Sequence, residues 1–339
     1  MRKLIVLGLL AGLAGLLALT ALPAGGKAPG PNGRIVFARF DSALDGTVTY
    51  TANPDGSHMQ RLFTGGHSEE PRWSPDGNQV AVLAACADGE ENCAFTIVDP
   101  DTGAFRQVKM LDPTLFTACI VWSPDSQRLA CEGLGEPDPS RNGIYTVRSS
   151  DGSGLTRMTS NPGGEDLPGD YSPQGERLVF ARFDQNEDPV GLYVVKTDGS
   201  QLRPITPPGT LISLSSPGDW SPQGNEILFA RRTGEDMRNS LWVVHADGSG
   251  LHEIRVQGEP ACGGPIADPT SRGCIHPRWS PDGKKIIFGS VTATADGGTE
   301  NDGETENIYT VNADGTGLTQ VTPGPEDEAA DWGQHPLVP

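Results

Sequence analysis

The chain has 339 residues with a formal charge of −19, and it carries 44 glycines, 29 prolines and 36% hydrophobic residues. Such an acidic surface repels nucleic-acid phosphates and anionic lipid headgroups, so neither is an expected partner. The Gly and Pro content, with no long amphipathic helical pattern, points away from a helical protein and towards many short strands.

In chain order, Arg2-Lys3 precedes an apolar stretch from Leu4 to Leu22 and the small residues Pro23-Ala24-Gly25. This reads as a secretory signal over residues 1–24, followed by a linker at 25–31. Export to the periplasm, cell envelope or exterior is expected, with no membrane association once the signal is cleaved. The alternative is a retained anchor, because the apolar stretch approaches the ~20 residues that span a bilayer. No Cys lies near the cleavage region, so a lipid-modified amino terminus is not supported.

A tandem repeat follows. Arg72-Trp73-Ser74-Pro75-Asp76-Gly77 recurs as Trp122-Ser123-Pro124-Asp125, Tyr171-Ser172-Pro173, Trp220-Ser221-Pro222 and Trp279-Ser280-Pro281-Asp282-Gly283, and more loosely at Trp332-Gly333. The aromatics are 49, 49, 49, 59 and 53 residues apart. A period near 50 suits a unit of about four strands that must stack on its neighbours. Ser-Pro-Asp-Gly fits a type I turn, with Pro presetting φ and Gly accepting the left-handed residue that follows. After each turn comes a short apolar strand such as Leu178-Val179-Phe180 or Ile286-Ile287-Phe288, and Ile35 to Phe40 is a similar run. A third series, typified by Ile144 to Val147 and Leu241 to Val244, runs into Asp-Gly hairpin turns. Weak fourth strands follow.

The amino-terminal part begins at a second strand and the carboxyl-terminal part stops after a first strand at Trp332, so together they make one unit. Closing them into a ring removes open sheet edges. The fold class is therefore all-β: one six-bladed β-propeller of four-stranded antiparallel blades over residues 32–334, with a tail at 335–339. A linear solenoid is the other option, but it would want polar capping repeats. Six cysteines in an exported chain invite pairing. Repeat position selects Cys86 with Cys93, Cys119 with Cys131 across the Ser123 turn, and Cys262 with Cys274.

These repeats, aromatic-Ser-Pro-Asp-Gly, an apolar strand, then Ile/Leu-Tyr/Trp-x-Val and Asp-Gly-Ser/Thr-Gly-Leu, resemble the WD40-like (PD40) repeats of TolB-type propellers. The resemblance covers about nine tenths of the chain and implies the fold; similar repeats serve periplasmic scaffolds, protease propellers and carbohydrate-active enzymes. No counterpart of the small α/β domain preceding the TolB propeller is expected.

Catalytic motifs are scarce: neither Gly-x-Ser-x-Gly nor His-Glu-x-x-His occurs. Two sets of candidates emerge. His67 and His276 precede first strands, with the carboxylates Glu69 and Glu70 beside His67. The residue before each aromatic, in ring order Arg72, Val121, Asp170, Asp219, Arg278 and Asp331, is charged in five cases of six. Unpaired buried charge is costly, so these residues are expected to form a polar collar at the channel mouth beside the variable loops. Arg278 would pair with Asp219 or Asp331, Arg72 with Asp331, and Asp170 would stay free for a ligand; the plain alternative is that the charges only register neighbouring blades.

The stereotyped turns fall at one end of the blades and the variable loops at the other, which makes the loop face the candidate binding surface. Asp296, Glu300, Asp302, Glu304 and Glu306 crowd one such loop. Calcium is the cofactor they would hold, although the spacing favours a solvated acidic loop. Two functional classes remain: a monomeric, noncatalytic exported propeller binding a protein or envelope polymer, and a metal-assisted hydrolase or lyase acting on a carbohydrate or lactone through His67, His276 and nearby carboxylates.

Overall fold

The computed structural model describes residues 29–44, 46–63, 67–84, 93–109, 112, 114–233, 238–256, 259–260, 272–292, 305–324 and 326–339. Six four-stranded antiparallel sheets form the blades. Blade 1 takes its first strand, Asp327–Trp332, from the carboxyl-terminal end and its others, Ile35–Asp41, Gly46–Ala52 and Gln60–Arg61, from the amino-terminal end. Ile35 pairs with Trp332, so the expected closure is present. The first strands of blades 2 to 6 are Ser68–Trp73, Leu115–Trp122, Gly164–Tyr171, Asp219–Trp220 and Arg272–Trp279. Each touches the first strand of the next blade around the whole ring, so these strands surround the axis.

The core lies between blades as well as within them. One cluster joins Leu228, Leu241 and Val243 of blade 5 to Trp279, Phe288 and Val311 of blade 6. Another joins Ala81 and Ile97 of blade 2 to Trp122, Leu129 and Val147 of blade 3. Burying each large apolar side chain contributes roughly 1.5–3 kcal/mol, which no blade would collect alone.

The Ser-Pro turns form as their residues require. The Gly77 amide donates to the Ser74 carbonyl at 2.8 Å and the Ser74 hydroxyl to Asp76 at 2.6 Å. Gly77 has φ 73°, and Ser126 takes the matching left-handed place in blade 3 at φ 58°. The same serine–aspartate bond recurs at Ser123–Asp125 and Ser280–Asp282.

In blade 1 the Arg39 guanidinium grips Asp327 with two bonds of 2.5 and 2.8 Å while lying over Tyr50. Blade 4 repeats the device with Arg182 on Asp166, both bonds 2.7 Å, over Tyr193. In blade 5 Arg231 stacks on Trp242 in the same way, but its cross-strand neighbour is Ile212 and its Nε has no partner.

The fourth strands are weak, as expected: most span two residues, and only Phe105–Lys109 in blade 2 is longer. Two details depart from the sequence pattern. Blade 5 has a first strand of two residues, and a two-stranded ribbon of Arg255–Val256 and Glu259–Pro260 links it to blade 6. Central hairpins run further into the variable loops than their apolar cores suggest, as in Arg232 facing Asn239, because backbone pairing continues past the last buried side chain.

Cys119 and Cys131 are bonded to each other and are direct cross-strand partners, as expected. Cys274 is also in a disulfide. Its expected partner Cys262, and the side chains of the Cys86–Cys93 pair, lie outside the described residues, as do the proposed signal and most of the acidic loop.

Candidate functional site

The axis of the ring is lined by first strands, and an irregularity in those strands shapes it. In blades 1, 2 and 6 the first strand carries one extra residue, Ala329, Glu70 and His276, at φ 51°, 45° and 48°. Blades 3 and 4 shift register at the corresponding place. Such bulges re-aim side chains and are common beside functional sites. In blades 2, 4 and 6 their sequence signal is Pro or Gly two residues before the aromatic, at Pro71, Gly169 and Pro277, which a search for strand patterns overlooks; blades 1 and 3 have Ala330 and Ile120 there and give no such signal.

The residues before the aromatics do face the channel. Arg72, Val121, Asp170, Asp219, Arg278 and Asp331 all line one narrow cavity of about 50 Å³. Its other walls include Ser74, Pro75, Pro281 and Gln334, which places the collar at the end of the stereotyped turns. The expected position beside the variable loops is thus corrected: each first strand runs from the variable face towards its Ser-Pro turn, so the residue before the aromatic comes last. Segments near both ends of the described chain cross this face, with His335 Nδ1 donating to the Gly77 carbonyl at 2.9 Å. The Gly30 amide donates to the Pro281 carbonyl, and the Asp282 amide to the Asn32 side chain.

Within the collar the aspartates are seam residues. Asp219 accepts from the Trp279 amide at 2.6 Å, Asp331 from the Trp73 amide at 2.8 Å and Asp170 from the Trp220 amide at 3.1 Å, each in the next blade. Asp170 also accepts from the Tyr171 amide at 2.9 Å, so it is not free as expected. Of the anticipated arginine pairs, Arg278 lies 3.9 Å from Asp219, whereas Arg72 is closest to Glu70 at 3.6 Å. Burial, followed by the charge of Arg278, draws Arg72 down to about 10.

His276 belongs to the first strand of blade 6 rather than preceding it. Its Nε2 is 4.0 Å from Glu70, and burial lowers it to about 4, so it is neutral at pH 7. His67 does precede its strand; the Thr47 amide donates to its Nδ1, leaving Nε2 to donate to Glu69 at 2.7 Å. Among the described residues no group of three or more His, Cys, Asp or Glu side chains has an arrangement that would hold a metal ion.

Towards the variable face the axis turns acidic, which sequence reading missed in part. Burial and then Glu165, Glu70 and Asp166 push Glu132 up to about 8. Glu328 is raised by burial and by Glu69 and Glu70, and Glu165 by burial and Glu187. These groups come from blades 1 to 4, and only Glu69 and Glu328 share a repeat position, four residues before the aromatic, so no pattern running through the repeats marks them.

The fold has counterparts among solved structures. A TolB of Acinetobacter baumannii superposes with a TM-score of 0.65 at 17% identity, over 88% of this chain and 66% of that one. The fold is that of the TolB propeller. A protein of Agrobacterium tumefaciens described as a TolB matches at TM-score 0.58 and 18% identity, over 86% of this chain and 90% of that one. An oligogalacturonate lyase of Vibrio parahaemolyticus matches at 0.51 and 14%, over 81% of this chain and 71% of that one. The TolB-type likeness is one of architecture, since this chain spans just under two thirds of the Acinetobacter protein. No protein-family profile matches the sequence, and no curated relative does either.

Proposed function

We propose that this protein is an exported, noncatalytic propeller that binds a protein or cell-envelope polymer on its variable-loop face. The observation that supports it is the contrast between the two ends of the ring. At one end, repeated Ser-Pro turns and seam aspartates hold the blades in register; at the other, Glu69, Glu70, Glu132, Glu165 and Glu328 gather around the axis with three of them held above the ordinary carboxylate range. Carboxylates crowded at a cost to their own ionisation favour an approaching cationic surface. The likeness to TolB-type scaffolds agrees with this; the alternative of a metal-assisted hydrolase or lyase rests on His67, His276 and nearby carboxylates, and the likeness to an oligogalacturonate lyase agrees with it.

The test is capture from envelope extract by immobilised protein, with and without calcium. Glu132→Gln with Glu328→Gln should weaken capture, and the exposed Glu176→Gln at the turn end should not. Equal capture by both variants would remove the assignment of the face.

A further inference from the structure

The throat of the channel holds two guanidiniums with donors that no acceptor among the described residues meets. The Arg72 and Arg278 side chains are 8% and 3% exposed. Nε of both, Nη1 of Arg278 and Nδ1 of the buried His276 have no hydrogen-bond partner. Carboxylates at this level are bonded elsewhere, to the amides of Trp73, Trp220 and Trp279. The nearest approaches, 3.6 Å from Glu70 to Arg72 and 3.9 Å from Asp219 to Arg278, are too long for hydrogen bonds. Buried donors left unmade, on two cations that repel each other, destabilise the fold unless something else supplies the acceptors.

Just outward along the axis lie Glu70, Glu132 and Glu165, where burial and then the charges of Glu165 and Glu70 favour the protonated form of Glu132. The channel is therefore graded, acidic at the variable face and lined within by two guanidiniums with unmet donors beside Asp170, Asp219 and Asp331, which are bonded to seam amides. A simple anion is repelled at the acidic mouth, and a simple cation brings no acceptor to the throat. A group with a carboxylate inward and a cation a few ångströms outward satisfies both. The cavity of about 50 Å³ admits a carboxylate but not a side chain behind it.

We propose that the channel captures the carboxyl terminus of a peptide whose last residue is basic. The terminal carboxylate sits between Arg72 and Arg278, where guanidinium forks give charge-assisted bonds, and the basic side chain lies among Glu70, Glu132 and Glu165. This rests on the protein-binding reading above and selects a peptide over a polymer.

Calorimetric titration of the full chain at pH 7 tests it with three N-acetylated peptides: Ala-Ala-Lys with a free carboxylate, the same peptide as its carboxyl-terminal amide, and Ala-Ala-Glu with a free carboxylate. Only the first should bind, and Arg278→Met or Arg72→Met should weaken it about tenfold or more. Equal binding of acid and amide, no binding of the lysine acid, or unchanged affinity in both variants overturns the proposal. The peptide comparison on the parent protein needs no variant to fold. Retained capture from extract on the variable face alongside these failures would sink the carboxylate site and leave the broader reading standing.

Discussion

Asp219 of blade 5 accepts a hydrogen bond from the Trp279 amide of blade 6 at 2.6 Å, and both residues are buried. The bond crosses a seam where no strand ladder runs, and Asp331 to Trp73 and Asp170 to Trp220 repeat it. The aspartates before the aromatics thus serve first as registration between blades. Asp331→Ala leaves a buried amide unmet and should lower unfolding free energy by about 1.5–3 kcal/mol, measured by denaturant titration. A loss below experimental error would show the seam bond to be dispensable.

The arginine–aspartate grips of blades 1 and 4 bury an acid completely beside a partly exposed guanidinium. Removing one partner of such a pair is more damaging than never having had it. Asp166→Ala should therefore cost roughly 3–5 kcal/mol, well beyond the seam variant, in the same titration. Its effect should also exceed that of Arg231→Met, since Ile212 stands opposite Arg231 where Asp166 faces Arg182.

Ring closure makes the carboxyl-terminal end part of the core. Trp332 pairs with Ile35 and donates its indole N–H to the Gly33 carbonyl, and Val338 exchanges two bonds with Asn53. Deleting residues 330–339 should lower the melting temperature far more than trimming a free tail. A truncated protein that melts like the parent would contradict the closed ring.

Glu132 and His276 give opposite pH dependences. Glu132 has its folded value raised to about 8, so the folded state holds a proton that the unfolded state releases above about 4.5. Its contribution is complete at low pH and is lost as pH rises towards 8. His276 is lowered to about 4, so its contribution is present above the ordinary histidine range and is lost as pH falls towards 4. Glu132→Gln should therefore raise the melting temperature at pH 8 relative to the parent, with the difference vanishing near pH 4. A difference that stays constant across that range would show that Glu132 titrates normally.

Residues whose role is local were legible in order. Ser74-Pro75-Asp76-Gly77 announces its turn because Pro and Gly restrict φ within four residues, and Cys119 and Cys131 announce their bond by lying symmetrically about such a turn. The six-fold count and the closure followed from the same repetition, because incomplete units at the two ends complement each other. Arg72 and Arg278 were legible as charged, but their position was not. Which end of the channel a residue occupies depends on the direction of its strand through the ring, and the collar falls beside the turns rather than the loops.

By itself, the sequence determined the repeat, the turns, the ring and the Cys119–Cys131 bond, since each depends on conformational preferences or periodic burial within one unit. Only the tertiary structure decided that Asp219 caps Trp279, that Glu70, Glu132 and Glu165 converge, and that Arg72 faces Arg278 with donors unmet. Those relations join residues from different blades, and the electrostatic energy between them depends on distances and burial that exist only once the ring has closed.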